Sequence, residues 1–420
     1  MKLREKSAVL SRSKTLALSS MAICLVIIII LFPDSAFQSS LQGLTIWWEL
    51  VFPALLPFLI LTELLIGFGA VQAAGTIMEP LMRLLFRLPG ASGWPLASSL
   101  IIGFPIGAKI TAALREKELL SRQEAQRLVS ITHLCSPLFV ISVVGVGFLH
   151  QARLGLLLAV VHYLSAILTG WLMSRKHNTS HEPTRISLES EHSLWRRSLH
   201  TMQQAYLHDG RAFGKLLGDA VSTSVQTLMM IGGYMMIYSV MINVFTNNQL
   251  IFALQQLTTG FLGALNLGPE LVSHVLSGLF EIHLGTYSLA QLQDVPLLGQ
   301  MALISALLAW GGLSAHAQVG GFIHQTDIRY FPFFLARCLQ AAIAFLLTFI
   351  LWNPLQLLIN QVEPSFLPID FMGSSISNAP FNSSSWHAWQ YSLPILAVWL
   401  LALGIMLLLS TIVWGFRKRA

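Results

Sequence analysis

A five-residue string occurs twice in the chain, as GFLHQ at 147–151 and as GFIHQ at 321–325. Each copy lies at the C-terminal end of a hydrophobic segment that is interrupted partway by small or polar residues. Another interrupted segment lies upstream of each copy, at 103–107 in the first half and at 280–285 in the second. Chance produces such near-matches in chains rich in Leu, Gly and Phe, but here the neighbouring segments also correspond in order. We therefore predict two related halves, because paired broken hydrophobic segments are typical of secondary transporters.

The composition predicts a membrane protein. Hydrophobic residues make up 54% of the 420 positions and charged residues only 10%, whereas soluble domains carry roughly 25% charged residues. A segment of about 20 apolar residues is long enough to cross a bilayer. Eight segments meet this length approximately: 15–33, 51–69, 129–149, 155–173, 226–246, 297–317, 331–352 and 392–414. The first follows a basic stretch and lacks an A-x-A cleavage site, so we expect an uncleaved anchor.

Lysine and arginine residues predict the orientation of these spans. Residues 1–14 hold five of them, 70–128 and 174–215 hold seven each, and the last five residues hold three. No Lys or Arg occurs in three segments: 34–50, 247–296 and 353–391. Eight crossings with both termini in the cytoplasm place every basic loop inside and these three segments outside. The net charge of +6 is therefore a topology signal and does not predict a nucleic-acid partner.

The two halves repeat one order of segments: a full span, a weakly apolar stretch, a broken span and a clean span. Three crossings per half is an odd number, so the second half enters the membrane from the opposite side, as an inverted repeat. The predicted fold class is an all-α polytopic membrane protein with about eight transmembrane helices and two re-entrant hairpins. We predict five parts. They are an anchor helix with linker (1–50), the first repeat (51–173), a basic linker (174–225), the second repeat (226–352), and an extracytoplasmic loop with a last helix (353–420).

The weakly apolar stretch of each half predicts a re-entrant hairpin. In the first half, GFPIGAK at 103–109 holds a proline, which removes a backbone donor, and glycines, which free the turn. The matching stretch, 275–289, carries Glu281 and His283. Non-helical backbone inside a membrane is buried in protein or lines a wet cavity. The alternative is a pair of interfacial or kinked helices.

The four interruptions together predict a site for a small polar solute. Half-helix ends provide partial charges, and ionisable residues inside a membrane are candidates for function. The predicted substrate-binding residues are Gly103, Pro105, Gly107, Lys109, His133, Ser136, Glu281, His283, Gly285, Ser314, His316 and Gln318. We expect bulky replacements of Gly107 and Gly285 to be tolerated by a scaffold protein but not by a transporter.

The ionisable candidates each have a structural alternative. Lys109 can pair with an anionic solute or reach the cytoplasmic interface as an anchor. Glu281 and His283 can bind substrate, take up a coupling proton, or form a satisfied structural pair. A metal site built from His133, His283, His316 and Glu281 lacks ligand spacing of three or four residues, so we predict no metal. Glu63 and Arg337 lie inside predicted spans and have no assigned partner.

Enzymatic motifs are absent from the sequence. It contains no GxSxG elbow, HExxH helix or Walker A string, and the loop 174–215 is too short for a nucleotide-binding domain. The three cysteines lie far apart and form no CxxC pair. We therefore predict neither catalysis nor a cofactor.

Three stretches of the chain resemble a known family. They are IWWELVFPALLPF at 46–58, GFPIGAK at 103–109 and a predicted helix EKELLS at 116–121. Together they resemble sporulation integral membrane proteins of the YlbJ type, which carry paired nucleoside-recognition (Gate) domains. The resemblance extends from about residue 15 to 350 and implies the architecture of concentrative nucleoside transporters, with two re-entrant hairpins and two broken helices.

The resemblance also implies a function. YlbJ-type proteins are associated with moving dipicolinate, a pyridine with two carboxylates, across the outer forespore membrane during sporulation. An anion suits Lys109 and the positive ends of half-helices. Nucleoside transporters carry acidic and amide side chains at both hairpins, whereas the first hairpin tip here has neither.

The predicted function is therefore secondary transport of a small organic anion, with dipicolinate as the first choice. The alternatives are a transporter of nucleosides or other neutral solutes, and a non-transporting scaffold for spore assembly. The expected partners are the anion, a coupling proton or sodium ion, and membrane lipid. Related transporters commonly form dimers or trimers around scaffold helices, so a homo-oligomer is compatible with this prediction.

Overall fold

A computed structural model describes residues 29–175, 193–246, 271–293 and 295–359, together with isolated positions before and between these ranges. Helices dominate the described residues, which contain no strand. Five described helices are long and apolar enough to cross a membrane: Pro33–Gly67, Ala152–Arg175, Phe213–Asn243, Leu297–Ile323 and Tyr330–Leu355. The predicted all-α membrane protein is confirmed.

The helices of the first half are α1 (Pro33–Gly67), α2 (Ala70–Leu85), α3 (Gly93–Ile102), α4 (Ile106–Glu116), α5 (Arg122–Ile131), α6 (Phe139–Phe148) and α7 (Ala152–Arg175). A π-helical stretch, Trp47–Val51, lies within α1, and α6 is π-helical throughout. The helix between the halves is α8 (Leu194–Asp209). The helices of the second half are α9 (Phe213–Thr246), α10 (Leu271–Phe280), α11 (Ile282–Ala290), α12 (Leu297–Trp310), α13 (Gly312–Ile323) and α14 (Tyr330–Ile359).

Two pairs of short helices form hairpins at the predicted places. The first hairpin is α3 and α4, joined by Gly103–Pro105, and the second is α10 and α11, joined by Glu281 alone. Each arm has nine to eleven residues, or about 15 Å at 1.5 Å per residue, which is half the thickness of a hydrocarbon core. The arms therefore have the length of re-entrant helices.

Small residues let the two arms of each hairpin pack closely. A Cβ atom added at Gly285 would lie 2.0 Å from Cα of Gly278 on the opposite arm. In the first hairpin, a Cβ atom at Gly107 would lie 2.2 Å from Oγ of Ser99. Each contact joins the two arms within four residues of the turn, so small residues bring the arms together in both hairpins.

Each half also contains a helix that is broken in the middle. In the first half, α5 and α6 are separated by residues 132–138, most of which are non-helical. In the second half, α12 and α13 are separated at Gly311 and Gly312, whose φ angles of 89° and 80° favour glycine. The repeated strings end these broken helices, since α6 ends at Phe148 and α13 ends at Ile323. The repeat of segment order is thus observed, while the inverted insertion stays a prediction.

The predicted outer loop at 34–50 is wrong, because these residues are helical and belong to α1. At 35 residues, α1 is about 52 Å long and exceeds the hydrocarbon core. The polar side of this extension packs on α9: Ser35 Oγ donates to Asn243 Oδ1 at 2.7 Å, and Ser239 Oγ donates to the Ser39 carbonyl at 2.6 Å. These contacts, rather than apolar character, support helix here.

Three further boundaries differ from the sequence predictions. The expected helix at 116–121 is mostly a turn between α4, which ends at Glu116, and α5, and Ser121 caps α5 through a reciprocal capping box with Glu124. The expected span 129–149 is divided between α5 and α6. The helix that contains the expected span 226–246 begins earlier, because α9 starts at Phe213.

Several predicted segments lie outside the described residues: most of 1–28, residues 176–192 of the basic linker, most of 247–270, and everything after 359, including the span 392–414.

Candidate functional site

The two hairpins and the two broken helices meet around one cavity of about 550 Å³. Its lining comes from both hairpin tips, from the start of α6, from α13, and from one face each of α1 and α9. Eight of the twelve predicted site residues line it: Gly103, Pro105, Lys109, Ser136, Glu281, His283, Ser314 and Gln318. The sequence interruptions of both halves are therefore brought together at a single place.

Each hairpin tip packs against the broken helix of its own half. A Cβ atom at Gly103 would lie 3.0 Å from the backbone N of Ser136, and one at Gly312 would lie 3.0 Å from the backbone N of Ile282. Gly103 has a φ of 95°, which a side chain would strain. The tips and the breaks thus form two similar contacts, one on each side of the cavity.

The carboxylate of Glu281 is the most highly bonded polar group of the cavity. It accepts hydrogen bonds from the backbone N–H of His283 at 3.2 Å and from Oγ of Ser314, and it is hydrogen-bonded to Nδ1 of the His283 ring. Glu281 is 2% exposed and His283 is 6% exposed. Because Glu281 also caps α11 and lies beside the start of α13, two helix N-termini stabilise its negative charge.

The first hairpin contributes a positive charge to the cavity lining. Lys109 lies in the first turn of α4, whose N-terminal residues Pro105 and Ile106 also line the cavity. Glu63 of α1 lines the cavity as well, and the positive charges that act on it are those of Arg211 and Lys109. A helix N-terminus beside an ammonium group favours an anionic ligand.

Four predicted site residues do not line the cavity. Gly107 and Gly285 face the opposite arms of their hairpins, so they are packing positions. His133 is buried behind the tip, where its ring stacks on Phe104 with centroids 4.9 Å apart. His316 is buried beside Trp310, and its Nδ1 lies 2.6 Å from the Tyr330 hydroxyl.

The packing of the glycines changes what a glycine substitution can reveal. A bulky residue at 285 would meet the opposite arm of its hairpin, and one at 107 would meet both Ser99 of the opposite arm and Thr132 of the first break, so tolerance at these positions does not distinguish a scaffold from a transporter. Such residues would disturb the fold whatever its function.

Arg337 of α14 has partners that the sequence did not indicate. Its guanidinium donates to the carbonyl oxygens of His133 at 2.8 Å, Ala309 at 3.4 Å and Ser130. Ser130 and Ala309 belong to the last turns of α5 and α12, whose carbonyls lack helical partners. A cation is favourable at helix C-termini, so Arg337 holds the two breaks beside each other.

A polar stripe on α9 contributes to the cavity and was missed. Thr223, Thr227, Met230 and Tyr234 all line it. Their spacing of three or four residues places them on one helical face. That pattern is the signal in the sequence, although the apolar background of the span hides it.

Within the described residues, no group of three or more His, Cys, Asp or Glu side chains is arranged to hold a metal ion. The rings of His133 and His316 lie 6.2 Å apart in an edge-on arrangement, while His283 is bonded to Glu281. The four side chains considered for a metal site therefore form two separate arrangements.

Comparison with known proteins gives two relatives and one family. The Gate family, described as nucleoside recognition, matches residues 48–152. The sporulation integral membrane protein YlbJ of Bacillus subtilis is 39% identical over 381 residues, which cover 91% of this chain and 92% of that protein. An uncharacterized protein of Alkalihalophilus pseudofirmus is 29% identical over 157 residues, or 33% of this chain and 32% of that protein. No solved structure matches the chain.

Proposed function

Since the chain belongs to the family of the sporulation integral membrane protein YlbJ, we propose that it is a secondary transporter of a small organic anion. Dipicolinate is the proposed substrate, and the proposed location is the outer forespore membrane, with both termini in the cytoplasm. Neither catalysis nor a cofactor has a part in this proposal. The alternatives are a transporter of nucleosides or other neutral solutes, and a non-transporting scaffold for spore assembly.

The observation that carries the proposal is the shared cavity. Interrupted helices from both halves line it, which is the arrangement by which transporters place a solute site near the membrane midplane. Its volume of about 550 Å³ falls within the roughly 300–1,000 Å³ typical of small-molecule sites. A scaffold has no need of a cavity with charged side chains at the meeting point of four helix ends.

The choice of an anion rests on Lys109 and the N-terminus of α4. The side chain of Lys109 lines the cavity within the first turn of that helix. A carboxylate placed there would meet an ammonium group and the positive end of the helix dipole. The apolar lining around it, including Phe58, Phe104 and Phe139, suits a flat aromatic ring.

Counterflow in proteoliposomes tests this function. Vesicles containing the purified protein are loaded with unlabelled dipicolinate and diluted into labelled dipicolinate, and entry of label is followed. We expect saturable entry by the wild type, a strong reduction for Lys109→Gln, and unchanged entry for Lys117→Gln, which lies in the turn after α4 and away from the cavity. Absence of saturable entry by the wild type would refute dipicolinate transport.

A nucleoside is the second candidate, because Glu281 and Gln318 place a carboxylate and an amide in the cavity and the matching family is described as nucleoside recognition. Competition separates the two substrates. Pyridine dicarboxylates should block entry of labelled dipicolinate, and uridine should not. Saturable uridine counterflow that dipicolinate leaves unaffected would favour the nucleoside instead.

A further inference from the structure

Resting on the transport function proposed above, we propose that the Glu281–His283 pair binds a coupling proton, which enters together with the organic anion. The proton-accepting atom is Nε2 of His283. The proposal depends on the geometry of the pair and on the charges that line the cavity.

The hydrogen bonds of Glu281 fix its protonation state and that of its neighbour. Oε1 accepts a hydrogen bond from the backbone N–H of His283 and is also hydrogen-bonded to ring Nδ1, and Oε2 accepts from Ser314. The backbone donor and the two helix N-termini favour the carboxylate form of Glu281. Nδ1 of His283 therefore carries a hydrogen, and in the neutral ring Nε2 is left as the proton acceptor.

Nε2 of His283 is available to a proton from the cavity. Within the described part of the chain this nitrogen forms no hydrogen bond, and it is not fully buried. His283 lines the cavity. A proton added at Nε2 converts the ring to imidazolium while its Nδ1–H stays bonded to Glu281, so the charged pair forms without breaking the existing hydrogen bond.

The charges around the cavity explain why an anion needs this proton. The acidic and basic side chains of the described lining, besides His283, are Glu63, Glu281 and Lys109. The carboxylate of Glu281 offsets the ammonium group of Lys109, so the lining offers an anion no net positive charge. Protonation of His283 adds one positive charge to the lining. The anion and the proton therefore favour each other's binding, as in symport.

The other groups near the pair are not the proton acceptor in this proposal. Ser314 of α13 donates to Glu281, and the phenol of Tyr238 on α9 is within electrostatic range of the same carboxylate. The ring of Phe139 on α6 lies edge-on to the His283 ring, with centroids 4.8 Å apart. Neither α6 nor α12 contains an ionisable residue, and His274, the ionisable residue of α10, is seven positions before Glu281.

Two opposite substitutions of His283 test the proposal. His283→Gln imitates the neutral ring, and His283→Lys supplies a permanent positive charge. The matched control is His324→Gln, which changes a histidine of the repeated string that does not line the cavity. Each protein is checked for a single folded species and placed in proteoliposomes containing a trapped pH-sensitive dye, with the membrane potential clamped at zero.

Three signals are recorded with labelled dipicolinate: counterflow at several pH values, accumulation driven by a gradient of one pH unit, and acidification of the lumen during entry. One proton per anion permits about tenfold accumulation, since one pH unit is a factor of ten in proton concentration. We expect all three in the wild type and in His324→Gln. His283→Gln should lose accumulation and acidification, with slow counterflow. His283→Lys should exchange dipicolinate independently of pH, without acidification.

The outcomes separate this inference from the function on which it rests. Wild-type counterflow without acidification or gradient-driven accumulation would overturn the proton site and leave transport intact. Retention of acidification by His283→Gln would also overturn it, because the coupling proton would then bind to another group. Absence of counterflow by the wild type, with either dipicolinate or uridine as the probe, would instead remove the transport function and this proposal with it.

Discussion

The guanidinium of Arg337 donates to the backbone carbonyl of His133 at 2.8 Å, although the residues are 204 positions apart in the chain. The same side chain reaches the carbonyl of Ala309, in the other half of the molecule, and that of Ser130. Only 1% of Arg337 is exposed. One buried cation thus satisfies carbonyls at the C-terminal ends of both α5 and α12 and holds the two interruptions in place beside the cavity.

Replacement of Arg337 by leucine should destabilise the protein strongly. Three carbonyls would lose their donor, and each buried unsatisfied group costs about 1–3 kcal/mol, so we expect a loss of roughly 2–5 kcal/mol after partial relaxation. Arg337→Lys should be intermediate, because a lysine lacks the planar fork that reaches several acceptors. Thermal unfolding in detergent measures the loss. The control is Arg153→Leu, because the exposed Arg153 side chain bonds to Gln151 alone among the described residues. Equal unfolding of both leucine variants would contradict the role of Arg337.

The close contact of Gly285 with Gly278 predicts a second effect on stability. Gly285→Ala places a methyl group against backbone on the opposite arm, and overpacking of this kind costs about 1–3 kcal/mol. Gly233→Ala is the matched control, because nothing lies within 4 Å of a Cβ atom there and alanine favours a helix by up to about 1 kcal/mol. We expect Gly285→Ala to lower the melting temperature and Gly233→Ala to maintain or raise it. A rise for both would show that the arms of the hairpin can separate freely.

The sequence predicted the interruptions well, since their signals are local. Glycine and proline at 103–107 break an apolar helix by themselves, and Glu281 and His283 are costly in lipid unless they have partners. The positions of these breaks, and their meeting at one cavity, therefore followed from composition and from the repeated order of segments.

The residues that the sequence could not place act through the backbone or through distant packing. Arg337 binds carbonyl oxygens, which every residue possesses, so no complementary residue type marks its partners. Ser35 and Ser39 lie in a polar stretch that resembles a loop, and contact with α9 stabilises it as a helix. Because glycine suits turns, the sequence predicts Gly107 and Gly285 as solute contacts, whereas in the structure the space beside them is filled by the opposite arm and, at Gly107, also by Thr132.

An ion pair outside the membrane-spanning helices predicts a pH dependence. Arg115, near the end of α4, donates to both carboxylate oxygens of Asp327, at 2.9 and 3.0 Å. Hydrogen bonding to Arg115 lowers the pKa of Asp327 below its ordinary value. A carboxyl whose pKa is lower in the folded state contributes stability above its unfolded pKa of about 3.9, and this contribution is lost as the pH falls through the folded value.

The stability difference between the wild type and Asp327→Asn should therefore be present at pH 6 and should close on acidification below about pH 4. Because the pair is partly exposed, we expect a difference of less than about 1 kcal/mol, reduced further by salt. Thermal unfolding across this pH range measures it, and the double variant with Arg115→Gln isolates the pair. A difference that stays constant down to pH 3 would mean that the charge of Asp327 contributes nothing.

Chemical labelling should show that the tip of the first hairpin faces water. Ile106 is the first residue of α4 and lines the cavity, whereas Ala108, two positions later, is only 2% exposed. Single cysteines at these positions are introduced after Cys24 and Cys338 are changed to serine, while Cys135 stays because it is buried. A membrane-impermeant thiol reagent should modify Ile106→Cys rapidly and Ala108→Cys slowly, and dipicolinate in the cavity should protect Ile106→Cys. If neither cysteine reacts in the folded protein, α3 and α4 are enclosed by protein or lipid, and the cavity is not the aqueous site through which a solute could pass.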